Sequence, residues 1–294
     1  MADLLNYLVS GVLTGLLFSL VALGFVVIYR ASKVFNFAQG ELLVLGGFII
    51  WWLAADLGLP PWPALALALV LAAACGFAIE RLFFARLVGE PVFALIMMTI
   101  AVLVLLRGTI LLLFGPAVRA FPMILPIQPL VIGEVYIPLS LLIGAAVTVV
   151  AALGFSWFFN RTGAGLSMSA VAEDHQTALS LGISVRRSIA LAWVLGSLTS
   201  VVGALILFNG KAITLQASSI GFAALPVALL AGLESIGGLL LAGIVVGVIH
   251  GLVGGYLDPL VGGGASTVAP FLIMLAILYV RPSGLFGWRR IERI

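Results

Sequence analysis

Apolar residues run along this chain in unbroken blocks of helix length, and charged residues collect in the gaps between them. The blocks lack the alternation over about ten residues that marks a membrane β-barrel strand. Most approach the ~20 apolar residues needed to cross a bilayer as helix. The pattern predicts spans over residues 8–29, 42–55, 64–84, 92–114, 138–159, 188–208, 237–256 and 268–280, with a shorter piece over 221–232 that contains Pro226. The expected fold is all-α, a polytopic helical membrane protein of about nine segments including one short or broken one. Seven crossings with a re-entrant segment is the alternative. The chain reads as one transmembrane domain over 1–294.

Two gaps are long. Residues 114–137 carry Pro116, Pro122, Pro126 and Pro129, followed by two β-prone pieces around Gly133-Glu134 that read as a hairpin on the outer face. Residues 160–187 form the longest polar stretch. It fits two short helices with an apolar side of Leu166, Met168, Val171, Leu179 and Leu181, the second helix ending at Gly182. A shorter gap is more unusual: in KVFNFAQGELLVLGG, the residues Asn36, Gln39, Gly40 and Glu41 interrupt two apolar runs. Glycines also recur with period four. Gly243, Gly247, Gly251 and Gly255 form one smooth helix face, and Gly11 with Gly15 a shorter one. Such faces let two helix backbones approach closely in a membrane, here most simply within one subunit.

Composition excludes a water-soluble globule. Hydrophobic residues are 63% of the chain and charged ones 9%, against about 25% charged in soluble domains. The net charge of +3 comes from scattered side chains and describes no nucleic-acid surface. Instead it reads topology. Arg30, Lys33, Arg81, Arg86, Arg161, Arg186, Arg187 and the tail Arg281, Arg289, Arg290 and Arg293 mark the inner side, with the N-terminus outside. The start carries Asp3 and lacks the basic region of a signal peptide. Trp51, Trp52 and Trp62 fall at headgroup depth. Cys75 is a core residue of an apolar run, and with His175 and His250 as the only histidines no metal-ligand cluster or catalytic site is expected. His250 reads as a packed, hydrogen-bonded residue. Arg107 lies about two turns inside the outer end of its span, where snorkelling to the headgroups is the simpler account and contact with a substrate carboxylate the alternative.

Four stretches carry a family resemblance. Ala170 to Ile183, with the pattern A-V-A-E-D-x-x-x-A-x-x-L-G-I, resembles the coupling loop of ABC importer permeases. NFAQGELLVLGG resembles the N-F-A-H-G-E signature of LivH-type permeases of branched-chain amino acid uptake. LLAGLESIGGLLLAGIVVG and the closing AILYVRPSGLFG resemble that family's glycine-rich region and tail. The four lie in the family's order and extend over nearly the whole chain.

The resemblance implies ABC importer permease architecture in the bacterial inner membrane and a translocation subunit without enzymatic activity. Its implied partners are a second permease of the LivM type, two cytoplasmic ATPases and a periplasmic or lipid-anchored binding protein. No cofactor is expected on this chain: ATP and Mg would bind the ATPases, in keeping with the lack of a G-x-x-x-x-G-K-[ST] loop. By the same resemblance Ala170, Glu173, Asp174, Ala178, Gly182 and Ile183 would contact the ATPase. Gln39 stands where the family usually has histidine; it keeps hydrogen bonding but does not titrate, which opens a cargo other than leucine, isoleucine and valine.

Two readings of the polar gap remain open. In one it is a helix–turn–helix connection at the inner interface, Asn36 capping the next helix and Glu41 lying at its positive end. In the other Asn36, Phe37, Gln39 and Glu41 line the translocation path or its inner gate. Cargo alternatives are urea, short amides or aromatic acids. An autonomous secondary transporter would show internal inverted repeats or paired ionisable groups, and an intramembrane enzyme would need a nucleophile–base or metal constellation; neither pattern stands out.

Overall fold

A computed structural model describes residues 2–287. Arg289, Arg290 and Arg293, read above as inside markers, lie outside the described residues. The elements in chain order are α1 (Ala2–Ser32), α2 (Gln39–Trp51), α3 (Pro61–Ile79), α4 (Val92–Phe114), β1 (Arg119–Ala120), β2 (Pro129–Ile132), β3 (Val135–Pro138), α5 (Leu139–Arg161), α6 (Gly163–Glu173), α7 (His175–Ser180), α8 (Val185–Phe208), β4 (Ala212–Ile213), α9 (Ser219–Ala223), α10 (Leu225–Ala231), α11 (Ile236–Tyr256), α12 (Asp258–Val261) and α13 (Ala265–Val280). One turn of π-helix extends α2 over Trp52–Asp56 and another extends α3 over Glu80–Phe84.

The chain is mostly helical. Among the described residues, six helices are long and apolar enough to cross a membrane: Asp3–Ser32, Pro61–Phe84, Val92–Phe114, Leu139–Arg161, Val185–Phe208 and Ile236–Tyr256. These six do not reproduce the expected count of about nine. The remaining expected segments are shorter: α2 with its π turn, Leu215–Ala231 and Ala265–Val280. The 221–232 piece is not one helix; Ala224 separates α9 from α10, and Pro226 stands in the first turn of α10, where its missing N–H is harmless. Burial separates the long helices by role. The helices over Pro61–Phe84, Val92–Phe114 and Leu139–Arg161 are 28%, 22% and 22% buried, so most of their apolar surface faces outward, as hydrocarbon requires.

The fold divides into two compact units, each assembled from separate stretches. The first contains the part of α1 up to Val26, Gln128–Phe155, and the chain from Ala223 onward. Its core joins Leu13, Leu16 and Ala145, with Val9, Leu141, Leu240 and Ile244 packed around them. The expected hairpin is present: β2 pairs antiparallel with β3 through Gly133, whose φ of 63° suits the turn. Asn6 anchors it, its Nδ2 donating to the Glu134 carbonyl and its Oδ1 accepting from the Tyr136 N–H. His250 is hydrogen-bonded, its Nδ1 2.9 Å from the Ser266 carbonyl, and its ring meets Phe18 edge-on. Asp258 accepts from the Ser266 hydroxyl and N–H, and these bonds hold its carboxyl below the usual range.

The second unit contains Val27–Ile127 and Ser156–Phe222. At its centre α2 is buried from Gln39 to Ile50, packed chiefly on α8, and α3 packs on α8 as well. The proline-rich stretch after α4 does not stand alone. β1 pairs antiparallel with β4, and Asn209 holds the loop by accepting from the N–H groups of Ile124 and Leu125 and donating to the Leu125 carbonyl.

The glycine faces on α1 and α11 meet within the first unit. A Cβ on Gly11 would fall 2.6 Å from the Gly247 carbonyl oxygen, and one on Gly251 would fall 2.6 Å from that of Tyr7. Gly15 faces Gly243 and Gly247, and Gly255 lies under the Tyr7 ring. Ser19 completes the seam by donating across to the Leu239 carbonyl at 3.0 Å. Gly254, on the same helix, has nothing nearer than Ser266 at 3.5 Å. We therefore expect Gly247→Val to destabilise the protein by about 1–3 kcal/mol, in the range for overpacking, and Gly254→Ala to leave it nearly unchanged. Thermal midpoints of the two variants in lipid nanodiscs test this; equal midpoints would refute the seam.

Candidate functional site

Helix α2 starts deep. Gln39, its first residue, donates from Nε2 to the Ser200 hydroxyl at 2.9 Å and to the Gly196 carbonyl at 3.5 Å. Those partners lie 11 and 15 residues into α8, about 17–23 Å along its axis at 1.5 Å per residue. The expected connection at the inner interface is therefore corrected. After α1 ends, residues 33–38 climb back to mid-height before the helix resumes. Along the way Thr99, on α4, donates towards the Phe35 carbonyl at 3.4 Å.

Irregular backbone at that depth persists only where protein satisfies its polar groups, and two amides do much of this. Asn36 accepts from the Ala38 N–H at 3.0 Å through Oδ1 and donates from Nδ2 to Gln39 Oε1 at 3.3 Å. Asn36 and Gln39 have no exposed surface. Asn36 is thus not the helix cap: Ala38 holds that position without a side-chain bond, and Asn36 closes the turn before it. Phe37 is half-buried and packs edge-on with Phe35, their ring centres 5.0 Å apart.

Glu41 lies in the first turn of α2, where the helix dipole favours its charge. It is 2% exposed, and its Oε1 stands 4.0 Å from Arg107 Nη1 on α4. Its Oε2 has no hydrogen-bond partner among the described residues. Arg107 thus stands beside a buried carboxylate of its own chain, while about half of its side chain stays exposed. Gly40 admits this arrangement by letting the stretch around Ser218 and Gly221 press against the start of α2, where a Cβ would overlap.

The 160–187 segment folds as the expected helix pair, α6 and α7. Thr162 caps α6 by accepting from the Gly165 N–H, and Asp174 caps α7 by accepting from those of Gln176 and Thr177. These backbone bonds, Thr177 first, lower the Asp174 pKa. Gly182 follows α7 at φ 76°. The predicted contact residues separate by exposure. Glu173, Asp174 and Gly182 are exposed, Ala170 and Ile183 half-buried, and Ala178 buried inside the unit. Buried Ala178 packs the helix pair down and offers no surface. The expected apolar side also divides: Met168 and Val171 are buried, while Leu166, Leu179 and Leu181 are 55%, 57% and 73% exposed.

A link between the helix pair and the break in the polar gap was not legible in the sequence. Lys33, at φ 52°, pairs with Glu173 at 3.2 Å. His175, at the start of α7, lines an apolar crevice together with Val34, Leu87, Val88, Thr99 and Trp193. Lys33 is 140 positions from Glu173 and Val34 is 141 from His175, separations that periodicity and spacing cannot span.

Two tests follow. Gln39→Leu leaves the Asn36 amide and the Ser200 hydroxyl without their partner and should lower stability by about 1–3 kcal/mol. Gln39→His, whose neutral ring keeps one donor and one acceptor, should recover most of it. Equal thermal midpoints for Leu and His would show the amide to be idle. For Asp174, a carboxyl with a lowered folded pKa contributes fully above its ordinary value of 3.8 and loses that contribution as pH falls through the folded value. Protection of the Gln176 and Thr177 amides against hydrogen exchange should therefore hold at neutral pH and decline only below about pH 3.8. Asp174→Asn, which keeps an accepting oxygen, should show no such decline.

A family model described as "Branched-chain amino acid transport system / permease component" matches residues 7–280. The chain is 28% identical to the high-affinity branched-chain amino acid transport system permease protein BraD of Pseudomonas aeruginosa, over 99% of this chain and 98% of that one. It is 27% identical to the corresponding permease protein LivH of Escherichia coli, over 99% of this chain and 97% of that one. Among solved structures, PsaBC from Streptococcus pneumoniae in complex with Fab aligns with a TM-score of 0.47 and 16% identity, covering 95% of this chain and 91% of that chain.

Proposed function

We propose a function from one premise: the chain belongs to the family of branched-chain amino acid transport system permease components. Within it, this protein is the translocation subunit of an ATP-driven importer that moves branched-chain or other hydrophobic amino acids into the cytoplasm by alternating access. It carries no ATPase activity of its own. ATP and Mg bind two cytoplasmic ATPases, a LivM-type permease completes the membrane core, and a binding protein delivers the cargo. The N-terminus lies outside, and the positive side chains Arg30, Lys33, Arg81, Arg86, Arg161, Arg186 and Arg187 lie inside.

The observation that carries this reading is the tie between the α6–α7 pair and the broken start of α2. The exposed Leu166, Leu179 and Leu181 form the apolar part of the surface offered to an ATPase, with Glu173, Asp174 and Gly182 beside them. Movement of that surface reaches Lys33 through Glu173 and reaches Val34 and Thr99 through the His175 crevice. Those residues flank the segment that ends at Asn36, Gln39 and Glu41, the gate of the path. The Lys33–Glu173 pair is largely solvated on the Glu173 side, where such pairs contribute at most about 1 kcal/mol. Its role is to transmit position.

Gln39 favours one alternative in cargo. Its amide uses both ends, as a neutral imidazole would, but has no proton to exchange near neutrality. A gate of the same shape with different chemistry supports urea, short amides or aromatic acids as the second reading.

ATP hydrolysis by the complex in nanodiscs, with its binding protein and a panel of leucine, isoleucine, valine, phenylalanine, urea and acetamide, tests the proposal. Stimulation by the branched-chain amino acids is expected. Stimulation by urea or acetamide alone replaces the cargo, and failure of any ATPase to co-purify overturns the importer reading. Leu179→Asp should reduce cargo-stimulated hydrolysis at least about tenfold, since docking of an ATPase on this exposed leucine would then have to bury a charge, without lowering the thermal midpoint of the permease.

A further inference from the structure

At the far end of the second unit from the α6–α7 pair, a cleft of about 400 Å3 is lined by Trp51, Trp52, Asp56, Leu113, Phe114 and Arg119. None of these residues belongs to the gate. The local backbone makes the cleft: α2 ends in a π turn, closed by the Leu57 N–H donating to the Trp52 carbonyl at 2.9 Å. Such turns add a residue to the helix and are frequent at functional sites. Trp52 and Asp56, four residues apart at the two ends of this turn, both line the cleft wall.

The Arg119 guanidinium lies over the Trp51 ring, 4.9 Å from its centre, and Nη2 donates to the Phe114 carbonyl at 3.3 Å. Its Nε is buried and has no hydrogen-bond partner among the described residues. A buried donor of this kind calls for an acceptor, and a guanidinium has five N–H groups to offer in a planar fork that suits a carboxylate. Asp56 supplies the opposite charge and is exposed, as is Trp52 at 38%. The cleft thus offers a cation, an anion and an apolar wall of two indoles, Leu113 and Phe114.

We propose that this cleft is an entry subsite for a small zwitterionic amino acid with an apolar side chain. The ligand's carboxylate is taken by Arg119, its ammonium by Asp56, and its side chain lies against the aromatic wall. Urea and uncharged amides lack both charges and do not fit it. The proposal rests on the importer reading, which places this end of the unit outside, and deepens it by naming where cargo first meets this chain.

Saturation-transfer NMR on the full-length chain in nanodiscs, with its co-purifying subunits, tests it using L-leucine, leucinamide and 4-methylpentanoate as probes. L-leucine should bind saturably, and Arg119→Gln should weaken it about tenfold or more, the effect of losing a charge-assisted bond. Leucinamide, without the carboxylate, should bind the wild type and Arg119→Gln alike. 4-Methylpentanoate, without the ammonium, should likewise not distinguish Asp56→Asn. Arg119→Lys should retain part of the leucine affinity. Unchanged leucine binding in Arg119→Gln and Asp56→Asn, or equal weakening of all three probes, overturns the proposal. So does the absence of any leucine signal together with binding of dihexanoyl phosphatidylglycerol that Arg119→Gln abolishes, which would make the cleft a headgroup site. Leucine-stimulated ATP hydrolysis without cleft binding sinks the subsite alone, whereas cleft binding with no stimulation by any amino acid sinks the importer reading.

Discussion

Every backbone N–H and C=O at membrane depth needs a partner within the protein, and the stretch from Lys33 to Ala38 is where that constraint is hardest to meet. Two fully buried amides meet it. Asn36 satisfies the turn and then binds Gln39, which binds across to Ser200 and Gly196 on α8. Because this cluster closes on itself, α2 can begin halfway along its neighbours instead of at an interface. Glycines then let it lie inside the unit: a Cβ on Gly46 would sit 3.0 Å from the Val201 side chain, and one on Gly47 2.8 Å from the Phe208 ring.

A helix that begins inside a protein places charge where a continuous span would not. Glu41 falls in the favourable first turn of α2, yet burial denies its carboxylate the hydration it would have at a surface. Arg107 answers from α4 at a distance of 4.0 Å. Ions at this depth characteristically face a bundle interior or a watery path. The pair is a loose one: Arg107 stays about half exposed, and Glu41 Oε2 has no hydrogen-bond partner among the described residues.

The two ends of the second unit are chemically unlike. At one end a pair of capped short helices presents leucines, held to the break by Lys33 and the His175 crevice. At the other, a π turn, two tryptophans and Arg119 surround an open cleft. Between them runs the buried α2, whose first turn holds Gln39 and Glu41 and whose C-terminal end borders the cleft. One helix therefore borders both ends.

Much of this was legible in one dimension. The apolar blocks declared a helical membrane protein, because 63% hydrophobic residues leave nothing to keep a soluble surface wet. Local chemistry declared the β2–β3 hairpin around Gly133, the helix pair ending before Gly182, and the period-four glycines, since turn preference, capping and helical periodicity act over a few residues. Long-range placement was not legible. Nothing near Asn36 says that it lies at mid-height, because that depth is set by Ser200, which is 164 positions away. The nearness of Arg107 to Glu41 is invisible in their spacing, and Ala178 reads as a contact residue until packing buries it. Hydrophobic periodicity determined which segments become helices; where a helix may break, and which charge meets which, was decided only when tertiary packing supplied the partners that water could not.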